Sequence, residues 1–154
     1  MNYDPILIVS GEPNSIFLEI FFKILKKNTF KNPLILISCE KLLKLQMEKL
    51  KFKKDIRILN VSKLDKYKLN NKSINLLNVN YGALKAFERI TSKSNSYIKE
   101  SFDLAFRILK KGKIKKLING PISKKYFLNN SYLGMTELIS NKFSKKKNLY
   151  VDLQ

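Results

Sequence analysis

Apolar runs with the length of β-strands recur along the chain. Unbroken runs are typical of strands that are buried on both faces of a parallel sheet. We predict buried strands of this kind at Pro5–Ser10, Pro33–Ser38 and Lys116–Asn119. Further strands are predicted at residues 74–79, at residues 55–61 with less burial, and at residues 148–153 near the end of the chain.

Between these runs, apolar residues recur every three or four positions, which is typical of helices with one buried face. The first helix follows a turn in which Asn14 or Ser15 is the expected N-cap. Its predicted apolar face consists of Ile16, Phe17, Ile20, Phe21 and Ile24, and it closes at residues 26–28. Later helices are predicted with Leu43, Met47 and Leu50 on one face, around residues 83–90, and over residues 97–110 with Ile98, Phe102, Ala105 and Leu109 on one face. Residues 62–72 are predicted to form a polar surface loop.

Strands that alternate with helices predict an α/β fold, with a mostly parallel sheet flanked by helices and one unit over residues 1–154. Loops at the carboxyl ends of parallel strands line the binding crevice of such sheets. Two candidate loops, Gly11–Pro13 and Gly120–Pro121, follow predicted strands in this way. Because a strand near Gln154 would need neighbours, we expect the chain to be the cut-short part of a larger protein.

The stretch from Leu117 to Glu137 has the features of an anion pocket. Gly120–Pro121 breaks a strand, and Ser123 is the expected cap of a short helix that carries Lys124. Gly134 precedes a second predicted helix start that contains Met135, Thr136 and Glu137. Backbone N–H groups at helix starts attract phosphate or carboxylate, and a nearby ammonium strengthens that field.

Composition narrows the function classes. The formal net charge of +19 suggests nucleic acid as a partner, but lysines are scattered along the whole length and only Arg57, Arg89 and Arg107 are arginines. This spread is what a strongly AT-biased coding sequence would produce. It does not favour a dedicated surface for nucleic acid. The lone cysteine predicts no disulfide and a cytoplasmic location, no apolar run is long enough to span a membrane, and histidine is absent.

Three motifs in order resemble those of the 4-hydroxythreonine-4-phosphate dehydrogenases. Residues 10–16 (Ser-Gly-Glu-Pro-Asn-Ser-Ile), with Glu19 after them, are similar to the family's Pro-Gly-Glu-Pro-x-Gly-Ile-Gly-Pro-Glu opening. Residues 119–124 (Asn-Gly-Pro-Ile-Ser-Lys) resemble its Thr-Gly/Ala-Pro-Ile-x-Lys loop. Residues 134–137 (Gly-Met-Thr-Glu) resemble its Gly-His-Thr-Glu. The likeness covers nearly all of this chain but only the amino-terminal half of a two-domain α/β family member.

The resemblance implies an NAD-dependent enzyme of pyridoxal 5′-phosphate biosynthesis that is a homodimer. It would oxidise 4-phosphooxy-threonine, a small phosphorylated substrate, with a divalent metal (Zn, Mg or Co) as second cofactor, and decarboxylation follows. The resemblance also implies substrate binding by Gly120, Lys124, Met135 and Thr136, with Glu12 and Glu137 as possible site-lining residues. Since the family's metal ligands and most of its NAD site belong to its second half, we expect this chain alone to be inactive and to hold no metal.

Simpler roles remain open for each of these residues. Glu12 is also interpreted as a capping carboxylate, Lys124 as a solvated helix-start residue, Thr136 as an N-cap and Met135 as a packing residue. Met135 stands where the family has histidine, and it offers neither a hydrogen bond nor a charge. Two other functions therefore stay open: a non-catalytic binding or scaffold protein derived from the family, and a basic nucleic-acid-binding domain.

Overall fold

Within the described residues, five parallel strands form one sheet. The structure is a computed structural model that describes residues 3–129 and 134–143. The strands are β1 (Ile6–Val9), β2 (Leu34–Ser38), β3 (Ile56–Ile58), β4 (Ile74–Asn78) and β5 (Lys116–Asn119). Their order in space is β3-β4-β2-β1-β5, and every neighbouring pair is parallel. The predicted α/β class with a parallel sheet is confirmed.

The described residues also form four α-helices. They are α1 (Phe17–Lys27), α2 (Glu40–Lys49), α3 (Asn95–Lys110) and α4 (Met135–Phe143). The connections through α1 and α2 lead along the sheet toward β3, whereas α3 leads back from β4 to β5. Because crossovers between parallel strands are right-handed, opposite directions of travel place α1 and α2 on one face and α3 on the other. The core lies between these layers and includes fully buried Leu7, Ile35, Leu36 and Phe102.

The sequence predicted a buried strand at Lys116–Asn119, but this strand is largely exposed. β5 forms the edge of the sheet in the described residues, where it pairs only with β1, and its Ile118 is exposed. An apolar run indicates a strand that other elements bury on both faces. It does not show whether those elements lie within the described residues. The two predicted strands do lie in one sheet, side by side.

The helix predicted around residues 83–90 is wrong, and the segment forms an irregular loop. Side chains from other elements bind its backbone. The Gln46 side-chain amide donates to the carbonyl oxygen of Ala86 at 2.8 Å, and the Glu88 N–H donates to Oδ1 of Asn14 at 3.0 Å. These tertiary hydrogen bonds replace the i to i−4 bonds of a helix, which local sequence periodicity cannot anticipate.

The buried face of α1 also differs from the prediction. Leu18, Phe21 and Phe22 are buried, whereas the isoleucines of the predicted apolar face (Ile16, Ile20 and Ile24) are exposed. Neither Asn14 nor Ser15 is the N-cap, since Ile16 occupies that position. The α1 sequence is apolar around most of its circumference, so spacing alone does not select the side that faces the sheet.

The remaining elements follow the predictions closely. In α2, Leu43 and Met47 are buried, and in α3 so are Ile98, Phe102 and Ala105. The predicted surface loop at 62–72 is in part a 3-10 helix, Val61–Lys66, whose Asn60 cap accepts a hydrogen bond from the N–H of Ser62. The strand predicted at residues 148–153 lies outside the described residues.

Candidate functional site

The loops that follow β1 and β5 meet at the point where the sheet reverses its direction of winding. The chain leaves β1 toward α1 on one face, and the turn that follows β5 contacts α3 on the other face. Ligands of open α/β sheets bind at this topological switch point, outside the carboxyl ends of the strands. The N–H of Gly120 donates to the carbonyl oxygen of Val9 at 2.7 Å, and the N–H of Glu12 donates to that of Pro121, also at 2.7 Å. The structure thus brings Glu12 and Gly120 together.

Two glycines permit this close approach. Gly11 has a φ of +74°, a left-handed conformation that L side chains rarely adopt, and a Cβ atom there would collide with the carbonyl oxygen of Pro121. A Cβ atom on Gly120 would collide with the carbonyl oxygen of Ser10. The two loops therefore pack backbone against backbone, and each glycine is required by the backbone of the other loop.

Glu12 is a buried carboxylate that organises this junction. Only 3% of its surface is exposed. Its Oε1 accepts a hydrogen bond from the N–H of Asn14 at 3.2 Å, and its Oε2 accepts one from Oγ of Ser94 at 2.9 Å. These bonds tie the β1 loop to the residue before α3. Because Asn14 lies before the start of α1, and α1 has no side-chain cap, the capping interpretation of Glu12 is wrong. Its role as a site-lining residue stays a prediction.

Beneath this junction lies a cluster of three buried hydroxyl groups that the sequence analysis missed. Oγ of Ser10 lies 3.2 Å from Oγ of Ser38 and 3.0 Å from the Tyr97 hydroxyl, which lies 3.2 Å from Oγ of Ser38. Burial is the main reason that the pKa of Tyr97 is raised above its usual value, and hydrogen bonds from the two serines offset part of the effect. The sequence feature that could have indicated this cluster is a serine at the end of each of two parallel strands, Ser10 after β1 and Ser38 in β2.

Lys124 lies in a short π-helical turn, Lys124–Leu128, after the Gly120–Pro121 loop. Oγ of Ser123 accepts a hydrogen bond from the N–H of Tyr126 at 3.2 Å, which confirms the predicted cap. The side chain of Lys124 is exposed to solvent. Lys124 is thus free to reach a ligand above the loop, and its substrate contact stays a prediction.

The start of α4 corrects one role proposed for Thr136. The carbonyl oxygen of Gly134 accepts a hydrogen bond from the N–H of Leu138 at 3.2 Å, so Gly134 precedes the helix and Thr136 lies inside its first turn. The N-cap interpretation of Thr136 is therefore wrong. Met135 is half-buried and packs against the core, as the packing interpretation predicted. Thr136 and Glu137 are exposed, and the described contacts do not link Thr136 to the Gly120–Lys124 loop.

The described residues do not fit a complete metal or dinucleotide site. Within residues 3–129 and 134–143, no three His, Cys, Asp or Glu side chains come together as metal ligands, and the sequence has no histidine. The five glycines (Gly11, Gly82, Gly112, Gly120 and Gly134) do not form the Gly-x-Gly-x-x-Gly fingerprint of a dinucleotide loop.

One surface groove lies away from the predicted site. It has a volume of about 790 Å³ and is lined by the end of β4 and one side of α3, including Asn80, Asp103 and Arg107. None of the residues predicted to bind substrate contributes to it. Within the described part of the chain, no helix is both long enough and apolar enough to cross a bilayer.

Comparisons with known proteins agree with this architecture. The model of the family described as the pyridoxal phosphate biosynthetic protein PdxA matches residues 29–151. A 4-hydroxythreonine-4-phosphate dehydrogenase from Klebsiella pneumoniae has a similar fold, with a TM-score of 0.75 and 18% identity over 90% of this chain. One from Burkholderia phymatum matches with a TM-score of 0.71 and 16% identity over 92% of this chain. In both cases the match covers 44% of the solved chain, so this chain spans about half their length. No curated protein matches it.

Proposed function

The chain belongs to the family of the pyridoxal phosphate biosynthetic protein PdxA, and from this membership we propose that it is the amino-terminal, substrate-binding half of an NAD-dependent 4-hydroxythreonine-4-phosphate dehydrogenase. One observation carries the proposal. The family match over residues 29–151 includes the loop region from Gly120 to Glu137, and the Gly120–Pro121 turn at its start follows β5 beside the loop after β1.

The substrate proposed for this half is 4-phosphooxy-threonine. Its phosphate and carboxylate are anionic, and Lys124 supplies an exposed ammonium beside the Gly120–Pro121 loop. Thr136 presents a hydroxyl in the first turn of α4, where free backbone N–H groups favour an anion. The half-buried thioether of Met135 offers only weak hydrogen bonding, so this site binds more weakly than one with histidine there.

NAD and a divalent metal (Zn, Mg or Co) complete the proposed enzyme. The NAD would accept the hydride of the secondary alcohol when bound with further polypeptide. We place the enzyme in the cytoplasm, because the lone cysteine, Cys39, is a buried free thiol. We also propose that the completed enzyme is a homodimer.

Titration of the purified chain with 4-phosphooxy-threonine tests the substrate assignment. We expect amide NMR shifts around Gly120, Lys124 and Thr136, and we expect Lys124→Met to weaken binding by about tenfold, a loss of about 1.4 kcal/mol. The matched control is Lys72→Met, since exposed Lys72 precedes β4 and so lies at the opposite end of the sheet. Equal binding by both variants would overturn the assignment. A parallel titration with inorganic phosphate measures the share of the affinity that the phosphate group of the substrate provides.

A non-catalytic binding protein derived from the family is the second candidate, and Met135 is the observation that favours it. This second function predicts ligand binding in the same titration but no turnover when the rest of the enzyme is supplied. A nucleic-acid-binding role is not favoured, because exposed lysines occur on α1, α2 and α3 and are not gathered on one face.

A further inference from the structure

One side of α1 carries an apolar stripe that no described residue covers. Ile16, Ile20 and Ile24 are 64%, 44% and 40% exposed, and their spacing of four residues aligns them along the helix. The opposite side of α1 packs on the sheet through Leu18 and Phe21. A helix with apolar residues on both sides is typical of one that is buried between two layers.

The direction of the stripe follows from the neighbours of α1. Phe22 stacks on Phe52, just beyond α2, with ring centroids 4.8 Å apart, so that side of α1 faces α2. Phe17 lies on the other side, because a Cβ atom on Gly120 would approach its ring at 3.0 Å. At 100° per residue, Ile24 and then Ile20 follow Phe17 around the helix, away from α2. The stripe therefore borders the β5 side of the sheet.

Ile118 extends this surface onto β5. Side chains alternate between the faces of a strand, so residues 118 and 120 point to the same face, which is the one that carries Phe17. Ile118 is 48% exposed, and its neighbour in register, Ile8, is buried. We name the set of Ile16, Ile20, Ile24 and Ile118 the isoleucine face. It lies beside the outer edge of β5, which no described strand pairs.

We propose that the isoleucine face docks the polypeptide that forms the remaining half of the PdxA-family fold, either later in the same chain or as a separate chain. Its occupant rests on the proposed function. Two observations select it. The solved relatives extend well beyond the 44% of their length that this chain matches, and contiguous exposed apolar surface marks an interaction site.

The chemistry of the surface describes the segment that covers it. Lys27 lies on the exposed side of α1 and Lys116 at the exposed start of β5, so lysines flank the isoleucine face. The complementary surface is apolar at its centre and acidic at its rim. It carries aliphatic side chains that fill the space beside β5, where a further helix or strand would continue the layers of the sheet.

Photo-crosslinking in the organism that makes the protein tests the proposal directly. The crosslinking residue p-benzoylphenylalanine replaces Ile20, and in a matched control it replaces Leu84, which is 73% exposed in the loop after β4. Mass spectrometry then identifies the crosslinked peptides. We expect peptides from polypeptide that matches the second half of the family, from position 20 and not from position 84. Crosslinks to a second copy, to an unrelated protein, or to nothing would each overturn the proposal.

A pair of substitutions gives a second measurement. Ile20→Lys places a charge on the isoleucine face, and we expect it to lower the crosslink yield from position 24 by at least about tenfold, whereas Leu84→Lys leaves the yield unchanged. Because Ile20 is exposed, neither variant should change the melting temperature of the 154-residue chain. The docking result is independent of catalysis: crosslinks to the second half without NADH formation would support the docking surface and count against the proposed enzyme.

Discussion

The backbone N–H of Glu12 donates a hydrogen bond to the carbonyl oxygen of Pro121 at 2.7 Å, which joins the loop after the first strand to the loop after β5. This bond requires both loops to approach without side chains between them, and Gly11 and Gly120 meet that requirement.

Substitution of either junction glycine should destabilise the fold. Gly120→Ala places a methyl group against the carbonyl of Ser10, and Gly11→Ala adds strain at a φ of +74°. We expect each change to cost about 2–3 kcal/mol in the free energy of unfolding measured by urea denaturation. Gly82→Ala is the control, since nothing lies within 4 Å of its added Cβ atom, and a similar loss there would contradict the packing argument.

Glu12→Gln should destabilise the chain even without ligand. The Gln side chain keeps one acceptor oxygen but presents an NH₂ group to one of the two donors that Glu12 now satisfies. We expect a loss of about 1–3 kcal/mol in unfolding free energy. Glu19→Gln, in an exposed pair with Lys23, should change stability by less than about 0.5 kcal/mol. Unchanged stability of Glu12→Gln with lost substrate binding would instead assign Glu12 to the ligand site.

The buried hydroxyl of Tyr97 makes stability depend on pH in the alkaline range. Its pKa is raised in the folded chain by burial, so the folded state holds the phenolic proton more tightly than the unfolded state does. The stabilisation is complete below the unfolded pKa of about 10 and is lost as the pH rises through the higher folded value. Urea denaturation between pH 9 and 11 should therefore show a steeper decline for the natural chain than for Tyr97→Phe. Part of the slope will remain, because burial also raises the pKa of Tyr81. Equal slopes would show that the Tyr97 proton is not held by the fold.

The 154-residue chain alone should not form NADH. The assay contains 4-phosphooxy-threonine, NAD and Zn²⁺, Mg²⁺ or Co²⁺, and the described residues supply no cluster of three metal ligands. Without a metal to stabilise the developing negative charge, and without a complete cofactor site, the barrier stays high. Metal-dependent turnover by the purified chain would contradict this expectation.

In the completed enzyme, Thr136→Ala should weaken substrate binding without lowering stability. Because Thr136 lies within the first turn of α4 and does not cap it, alanine suits the position at least as well. Met135→His should tighten binding by about tenfold, through a contact worth about 1–3 kcal/mol. Calorimetric titration measures both effects. A Thr136→Ala variant with full affinity and a lower melting temperature would remove Thr136 from the substrate site.

The sequence predicted the fold where packing follows from local pattern. The apolar runs of β1 and β2 and the periodicity of α3 are properties of the elements' own residues. These elements therefore lie where they were predicted. It failed where distant side chains decide the backbone, as when Gln46 and Asn14 bind the segment at 83–90. The buried side of α1 depends in the same way on neighbours that periodicity does not describe.

For the site, the sequence predicted the Gly120 loop and its Ser123 cap because both depend on nearby residues. It could not show that Glu12 is turned inward toward Ser94, a residue far along the chain. The hydroxyl cluster around Tyr97 likewise requires three elements to be assembled before it exists. Long-range polar contacts are the part of a site that sequence spacing predicts least well.

The pairing of β1 with β5 also orders events in the folding of this protein. Ile6 pairs with Leu34 on one side, soon reached along the chain, and with Lys116 on the other, near the opposite end of the described residues. Closing the longer loop costs more chain entropy, so we expect the β5 side of β1 to stay open late in folding and during synthesis on the ribosome. Until β5 emerges, β1 is the exposed edge strand of the sheet. A nascent chain halted before Gly120 would therefore present β1 to chaperones or to other unfinished chains.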